Sequence, residues 1–181
     1  MNLHHVLSAA CIALALAVAA PARAQQAPMP TVPSLDLDRY AGQWYEIARY
    51  PNSFERDCAR DVTATYTRNT DGTVTVVNAC RKADGSVMSA QGQARMAVPP
   101  SKLEVRFAPA WLSWLPFVWG DYWVIDLADD YSYSVVGEPS RDYLWILARD
   151  PRLPDATLDR IVAKLPALGY DPERLVRNPR P

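Results

Sequence analysis

Residues 61–81 read DVTATYTRNTDGTVTVVNACR. Two runs rich in Val, Thr and Tyr flank Asn69-Thr70-Asp71-Gly72, and Asp-Gly supplies the positive φ of a tight hairpin turn. The stretch predicts strands at 61–68 and 73–81, joined as an antiparallel hairpin. The same pattern repeats outward in both directions. Ala83-Asp84-Gly85-Ser86 is a second turn, before a strand at 87–98. Residues 102–107 (KLEVRF) alternate strictly, with Leu103, Val105 and Phe107 on one face. Residues 42–49 (GQWYEIAR) make a first strand, and 121–127, 131–136 and 142–149 complete eight. Eight sequential strands with short connections predict an all-β fold, an eight-stranded antiparallel up-and-down barrel. Such a barrel has no free edges and can hold one small ligand.

A single helix is predicted at 154–165. Pro154 suits a first turn, Asp155 and Asp159 favour its positive end, and Leu158, Ile161, Val162 and Leu165 form an apolar stripe. It would pack outside the barrel, where the outward positions Leu144 and Ile146 of the last strand are also apolar. A short final strand is predicted at 173–177. Residues 35–178 read as one barrel domain, preceded by a proline-bearing flexible arm at 25–34.

The chain has 181 residues, 19 Lys plus Arg against 20 Asp plus Glu, and 49% hydrophobic content. That is enough for one domain with its own core, and the formal charge of -1 argues against a nucleic-acid partner. Residues 9–20 (AACIALALAVAA) form an apolar run shorter than the ~20 residues of a spanning helix. Ala22-Arg23-Ala24 follows as a cleavage pattern, so residues 1–24 read as an export signal and Gln25 as the first mature residue. Ser8-Ala9-Ala10-Cys11 offers a lipoprotein alternative, but Cys11 opens the apolar run instead of following it.

Export removes His4 and His5, the chain's two histidines, and leaves Cys58 and Cys80 as its cysteines. No Ser-His-Asp or Cys-His site, and no His-ligated metal, can then be built. Two thiols cannot make a four-thiolate metal site. No catalytic residue, metal or cofactor is assigned. With the Asp71-Gly72 turn setting the register, position 80 lies opposite about 62, so Cys58 can swing to Cys80 and form a disulfide.

The stretch Gly42-Gln43-Trp44 opening the first strand, Asp130-Tyr131 between strands six and seven, and Arg149 at the end of strand eight resemble the three ordered motifs of the lipocalins. Further matches run through 51–55, 62–66 and 137–142. The chain is similar to the bacterial outer-membrane branch of that family, which is itself similar to apolipoprotein D and the plant temperature-induced lipocalins. In an eight-stranded meander these motif positions share one end. There Trp44 can plug the barrel and Arg149 can lay its guanidinium on the indole, a contact worth ~0.5–2 kcal/mol. Their role is to close the barrel.

Alternation assigns inward positions. These are Val62, Ala64 and Tyr66; Val76 and Asn78; Leu103, Val105 and Phe107; Trp123, Ile125 and Leu127; and Tyr143, Trp145, Leu147 and Arg149. The resemblance implies that Tyr66, Asn78, Phe107, Trp123 and Trp145 line a cavity, and Val105 joins them as a ligand-contact candidate. From the residues alone, the aromatics could equally fill a dry core. Asn78 is a candidate for a ligand's polar group, with a water or Tyr66 as the alternative partner. Glu46 shares a face with Trp44, and its pKa should rise if it is buried.

Residues 109–120 (PAWLSWLPFVWG) crowd Trp111, Trp114, Phe117 and Trp119 into the connection between strands five and six, at the open end. Such a loop can lid the mouth, pack in a homodimer, or dip into a membrane surface. Arg56, Arg60, Arg81, Lys82 and Arg141 would sit at the same end and meet an anionic headgroup. The resemblance implies an exported carrier of amphipathic lipids, fatty acids or lysophospholipids, in the periplasm or at the outer-membrane periphery of a Gram-negative bacterium. The alternative is a lipid-modifying enzyme that uses Glu46 or tyrosine chemistry.

Overall fold

The opening hairpin is present as β2 (Arg60–Arg68) and β3 (Val74–Arg81), with Gly72 at φ +84° in the turn between them. The computed structural model describes residues 28–97 and 101–179. The expected export signal, Cys11 and residues 25–27 of the arm lie outside the described residues. The remaining barrel strands are β1 (Gly42–Arg49), β4 (Val87–Met96), β5 (Lys102–Arg106), β6 (Gly120–Leu127), β7 (Tyr133–Gly137) and β8 (Leu144–Ala148). Each pairs antiparallel with its neighbour in sequence. β1 pairs with both β8 and β2, which closes the eight-stranded barrel. A short strand, β9 (Val176–Arg177), adds to the outer edge of β1 at Ala48 and Arg49. The predicted fold class is therefore the observed one.

One helix, α2 (Asp155–Lys164), packs on the outside, and its final turn tightens into a 3-10 segment over Leu165–Leu168. Leu158, Ile161 and Leu165 of the predicted stripe are buried against Ala48, Val135, Leu144 and Ile146 from the outer faces of β1, β7 and β8. A second cluster fills the lower half of the barrel interior and includes Trp44, Tyr66, Val76, Leu103, Val124 and Leu147. Strands β6 to β8 and part of β1 are thus apolar on both faces.

Two expectations need correction. The part of the arm that is described is packed, not flexible. Met29 is 5% exposed in the helix-side cluster, and the Val32 N–H donates to the Val124 carbonyl at 3.0 Å. Met29, Val32 and Leu35 give the arm apolar anchors between its prolines. They outweigh the cost of ordering it. The arm leads into a one-turn helix that the sequence reading missed, α1 (Leu37–Tyr40), capped by Asp36, whose carboxylate accepts from the Asp38 N–H at 2.9 Å.

The second correction concerns β6. Cross-strand register places Tyr122 opposite Leu103, and Val124 opposite Val136, on the inner face. Trp123 lies opposite Lys102 and Gly137 and faces outward, as does Ile125. A bulge between Val124 and Asp126 then turns Leu127 inward. The expected inward trio of Trp123, Ile125 and Leu127 therefore never shares a face. Because β6 is covered on its outer side too, polarity alternation carries no information there, and one bulge resets the parity.

Candidate functional site: a calyx closed at one end and open at the other

The closed end is built by the motif residues. Trp44 is fully buried, and its Nε1 donates to the Tyr40 carbonyl at 2.8 Å. The Arg149 guanidinium lies 3.9 Å above the indole centroid and donates to the carbonyls of Arg39, Tyr40, Ala41 and Gln43. It therefore caps the carbonyl end of α1 while covering the plug. Gly42 adopts φ +96°, and a Cβ there would stand 3.2 Å from Arg149 Nη1. Only glycine fits both demands without strain. Asp130 accepts from the Ser132 N–H in the β6–β7 turn. Tyr131 stacks under Arg39 at 4.0 Å, and its hydroxyl accepts from the Asp36 N–H. The three motifs meet at this end, as the strand order requires.

Above the plug lies a floor of hydroxyls. Tyr40 Oη is 2.9 Å from Tyr122 Oη and 3.0 Å from Ser134 Oγ, and Tyr66 Oη is 2.8 Å from Tyr122 Oη. Burial pushes the Tyr40 phenol up to about 12 and raises Tyr66 and Tyr122 as well, so all three stay protonated. Leu37, Val74, Leu103 and these tyrosines enclose a void of only about 10 Å³. The interior is solid from the tyrosines downward.

Higher up, the inner face opens. Asn78 faces inward, between Ala64 and Ala90 in register, yet both Asn78 and Ala90 are exposed. Phe107 is 44% exposed and leans over Gly92, where a Cβ would come within 2.8 Å of its ring. Val105 is half-buried on the same face. Trp145 is inward and half-buried, stacked on Tyr143 with centroids 5.8 Å apart and planes at 6°. Of the candidate ligand residues, Tyr66, Asn78, Val105, Phe107 and Trp145 thus share one calyx. Trp123 does not join them: it stands on the outer wall under Lys102 Nζ at 3.8 Å. The sequence reading missed Tyr122, which occupies the inner position next to it.

A charged group sits in the calyx wall. Glu55, from the 50–59 loop, accepts from Trp145 Nε1 at 2.9 Å and from Asn52 Nδ2 at 3.1 Å. Arg49, turned inward beyond a bulge in β1, places Nε 3.0 Å from Glu55 Oε2 and 3.6 Å from Glu46 Oε1. The Arg49 N–H is not aimed at the oxygen, so this is a charge contact more than a directed hydrogen bond. Glu46 is buried, and its carboxyl and carbonyl oxygens both accept from Asn178 Nδ2 on the C-terminal tail. Burial, then the adjacent Glu55, push its pKa well above the ordinary value, against Asn178 and Arg49. Both causes favour the protonated form of Glu46, in which its hydroxyl can donate to Glu55. Position 55 entered the sequence reading only as part of the family-like stretch 51–55, and its contact was not legible because its partner Trp145 is 90 residues away.

At the open end, the disulfide between Cys58 and Cys80 is present, with Cα atoms 5.6 Å apart. It pins the 50–59 loop to β3. The 109–119 connection does not fold onto the mouth as a lid, since Trp111, Trp114 and Phe117 are 74%, 76% and 79% exposed. Trp119 anchors it instead. Its ring lies 4.0 Å from the Arg95 guanidinium and 5.2 Å from that of Arg106, and its Nε1 donates to Ser113 at 2.8 Å. Phe54, 67% exposed, adds another apolar group to the rim. Of the basic residues expected there, Arg141 is withdrawn: it is buried and donates to the carbonyls of Leu168 and Pro139.

An eight-stranded barrel, plugged at one end and with exposed inward positions and aromatics toward the other, has the calyx architecture of a small-hydrophobe-binding protein. The chain belongs to the lipocalins: the family model for the lipocalin-like domain matches residues 35–180. It is 40% identical to temperature-induced lipocalin-1 of Arabidopsis thaliana over 156 residues, 84% of this chain and 83% of that protein. It is 33% identical to outer membrane lipoprotein Blc of Escherichia coli (strain K12) over 171 residues, 94% and 93% of the two chains. Apolipoprotein D of Macaca fascicularis is 33% identical over 156 residues, 81% of this chain and 77% of that one. Among solved structures, the cockroach allergen Per a 4 superposes with a TM-score of 0.64 at 21% identity, covering 85% of this chain and 92% of that one.

Proposed function

We propose that this protein binds and carries an amphipathic lipid, a fatty acid or lysophospholipid, in its calyx. Exposure of inward-facing Asn78, Ala90 and Phe107 above a fully buried Trp44 carries this reading. The barrel is hollow where a ligand enters and solid where it would leak. The tail packs on Tyr66, Val105, Phe107 and Trp145, and the headgroup stays near Asn78 and the rim. Residues 1–24 direct export, with cleavage after Ala24. The relative named an outer membrane lipoprotein supports an envelope location. The three exposed aromatics of the 109–119 loop form the contact with a membrane surface, as Trp favours the interface. Binding accounts for the interior better than catalysis does. Glu46 is taken up by Asn178 and Glu55, and the tyrosine hydroxyls by one another.

Native mass spectrometry of purified protein, with extraction of any co-purified lipid, tests the reading. Ala90→Trp would fill the calyx from an exposed inward position. It should strip bound lipid while leaving the melting temperature close to wild type. Equal lipid occupancy in the two proteins would place the ligand elsewhere.

A further inference from the structure

The β1–β2 ladder that closes the barrel is short. It runs from Gly42–Tyr66 to Tyr45–Thr63 and stops, so Asp61 and Val62 have no β1 residue across from them. Beyond that point β1 turns to β9 instead, at Ala48 and Arg49. A half-open groove of about 500 Å³ occupies the outside of the barrel at this divergence. Its apolar lining is the outward-facing Tyr45, Ile47, Ala79 and Val87 on the strands, with Leu153 just before α2 and Leu158 within it, and Gln43, Asp61, Thr63 and Asn178 add polar groups. Glu46, Val62 and Cys80, whose side chains belong to the inner face, contribute to its floor. Groove and calyx are thus separated by one layer of strand and open on opposite sides of it.

The volume falls in the ~300–1,000 Å³ range of small-molecule sites, and the lining is mainly apolar. The rim is basic. Arg81 and Arg60 share one carboxylate, Asp61, at 3.3 and 3.6 Å. Arg177, also on the groove, reaches Asp159 only at 3.9 Å, with both side chains more than half exposed. Arg60, Arg81 and Arg177 thus stand against Asp61 and Asp159, one positive charge in excess, and the two guanidiniums on the groove, Arg81 and Arg177, have a shared and a distant partner respectively. We propose that this groove is a second binding site, for the chain of a single-chain anionic amphiphile whose headgroup meets Arg81 and Arg177. It is independent of the calyx and carries its own ligand. The charge pattern separates it from the calyx wall, where Arg49 already faces Glu55 and Glu46.

The test is a methyl NMR titration with dodecanoate on the full mature chain. Ile47 and Val87 report the groove; Val76 and Val105 report the calyx. The expected result is that both sets shift, with separate saturation curves. Ala79→Trp should abolish the shifts at Ile47 and Val87 and leave those at Val76 and Val105, because position 79 points outward. Groove reporters that never move, or that still move in Ala79→Trp, would overturn the proposal, the second result marking an indirect effect of calyx binding. Groove shifts without calyx shifts would keep it and sink the calyx reading. Should Ala79→Trp not fold, Arg81→Gln and Arg177→Gln each serve instead. Each should weaken groove binding of dodecanoate about two- to fivefold, and binding of uncharged dodecanol not at all. Equal effects on both probes would overturn the anionic assignment.

Discussion

At Glu46, burial and the Glu55 carboxylate push in one direction while Asn178 and Arg49 push in the other, and the first pair wins. An acid whose pKa rises on folding holds a proton that the unfolded chain has lost, over the window between the two values. Its contribution to stability is therefore fully present below the ordinary 4.5 and falls as pH rises through the folded value. Glu46→Gln keeps an acceptor for Asn178 and a donor toward Glu55 without the titration. Urea midpoints followed between about pH 5 and 8 should decline less steeply in Glu46→Gln than in wild type, with the variant the more stable at the alkaline end. Parallel curves would mean that Glu46 is already ionised. At the closed end, Trp44→Ala should cost ~3–5 kcal/mol of stability, because it empties a packed site. Arg149→Ala should also lower the melting temperature, since it leaves four carbonyls without their shared donor. Lipid bound per folded molecule should hold in both. These motif residues were legible because their chemistry is local to fixed strand ends. Glu55 was not, because its meaning depends on a loop folding back to Trp145.

Among the elements, β6 marks the limit of periodicity. β5 could be read from Leu103 and Val105 because its other face carries Lys102, Glu104 and Arg106. β6 could not, because the arm and α2 side cover what would otherwise be a polar face, and Ile125 bulges. The consequence is testable. Trp123→Phe should leave lipid occupancy unchanged and lower stability modestly, through loss of the Lys102 contact and the indole bond to Asp121 at 3.1 Å. A loss of lipid at wild-type stability would return Trp123 to the calyx. The 50–59 loop makes the complementary case. It was legible as a connection, and the Cys58–Cys80 bond that holds it could be placed by counting from the Asp71-Gly72 turn. Replacing both cysteines by Ser should destabilise the fold by ~2–5 kcal/mol, read from denaturant midpoints. It should also change Trp145 emission before global unfolding, because Glu55 rides on the freed loop.

Taken whole, the molecule is polarised along the barrel axis. Trp44, Arg149 and the tyrosine floor seal one end, while Phe54, Trp111, Trp114 and Phe117 stand exposed around the other. Sequence order alone predicted this polarity, because strand counting puts the 109–119 connection opposite the motif end. It could not predict that Trp119 would be held by Arg95 and Arg106, leaving Trp111, Trp114 and Phe117 exposed. That anchoring favours the proposed membrane contact over a lid. A lid would bury its aromatics on the mouth and slow release. On the proposed function, a pre-set rim would instead offer a lipid a path from bilayer to calyx with little exposed chain, and each CH₂ kept from water is worth ~0.8 kcal/mol. The Trp111→Ser, Trp114→Ser double variant should therefore associate less with liposomes and accept lipid from vesicles more slowly. Its affinity for a short-chain lipid already in solution should stay near wild type, since neither residue touches the calyx interior. Salt should weaken the association only in part, because insertion of indoles at the interface is not screened as charge pairing is. Liposome binding equal to wild type would remove the membrane role, and a homodimer built on the same three aromatics would then be the better account. Sedimentation of wild type and double variant would separate the two, because a dimer that falls to monomer on substitution needs no bilayer to reveal it.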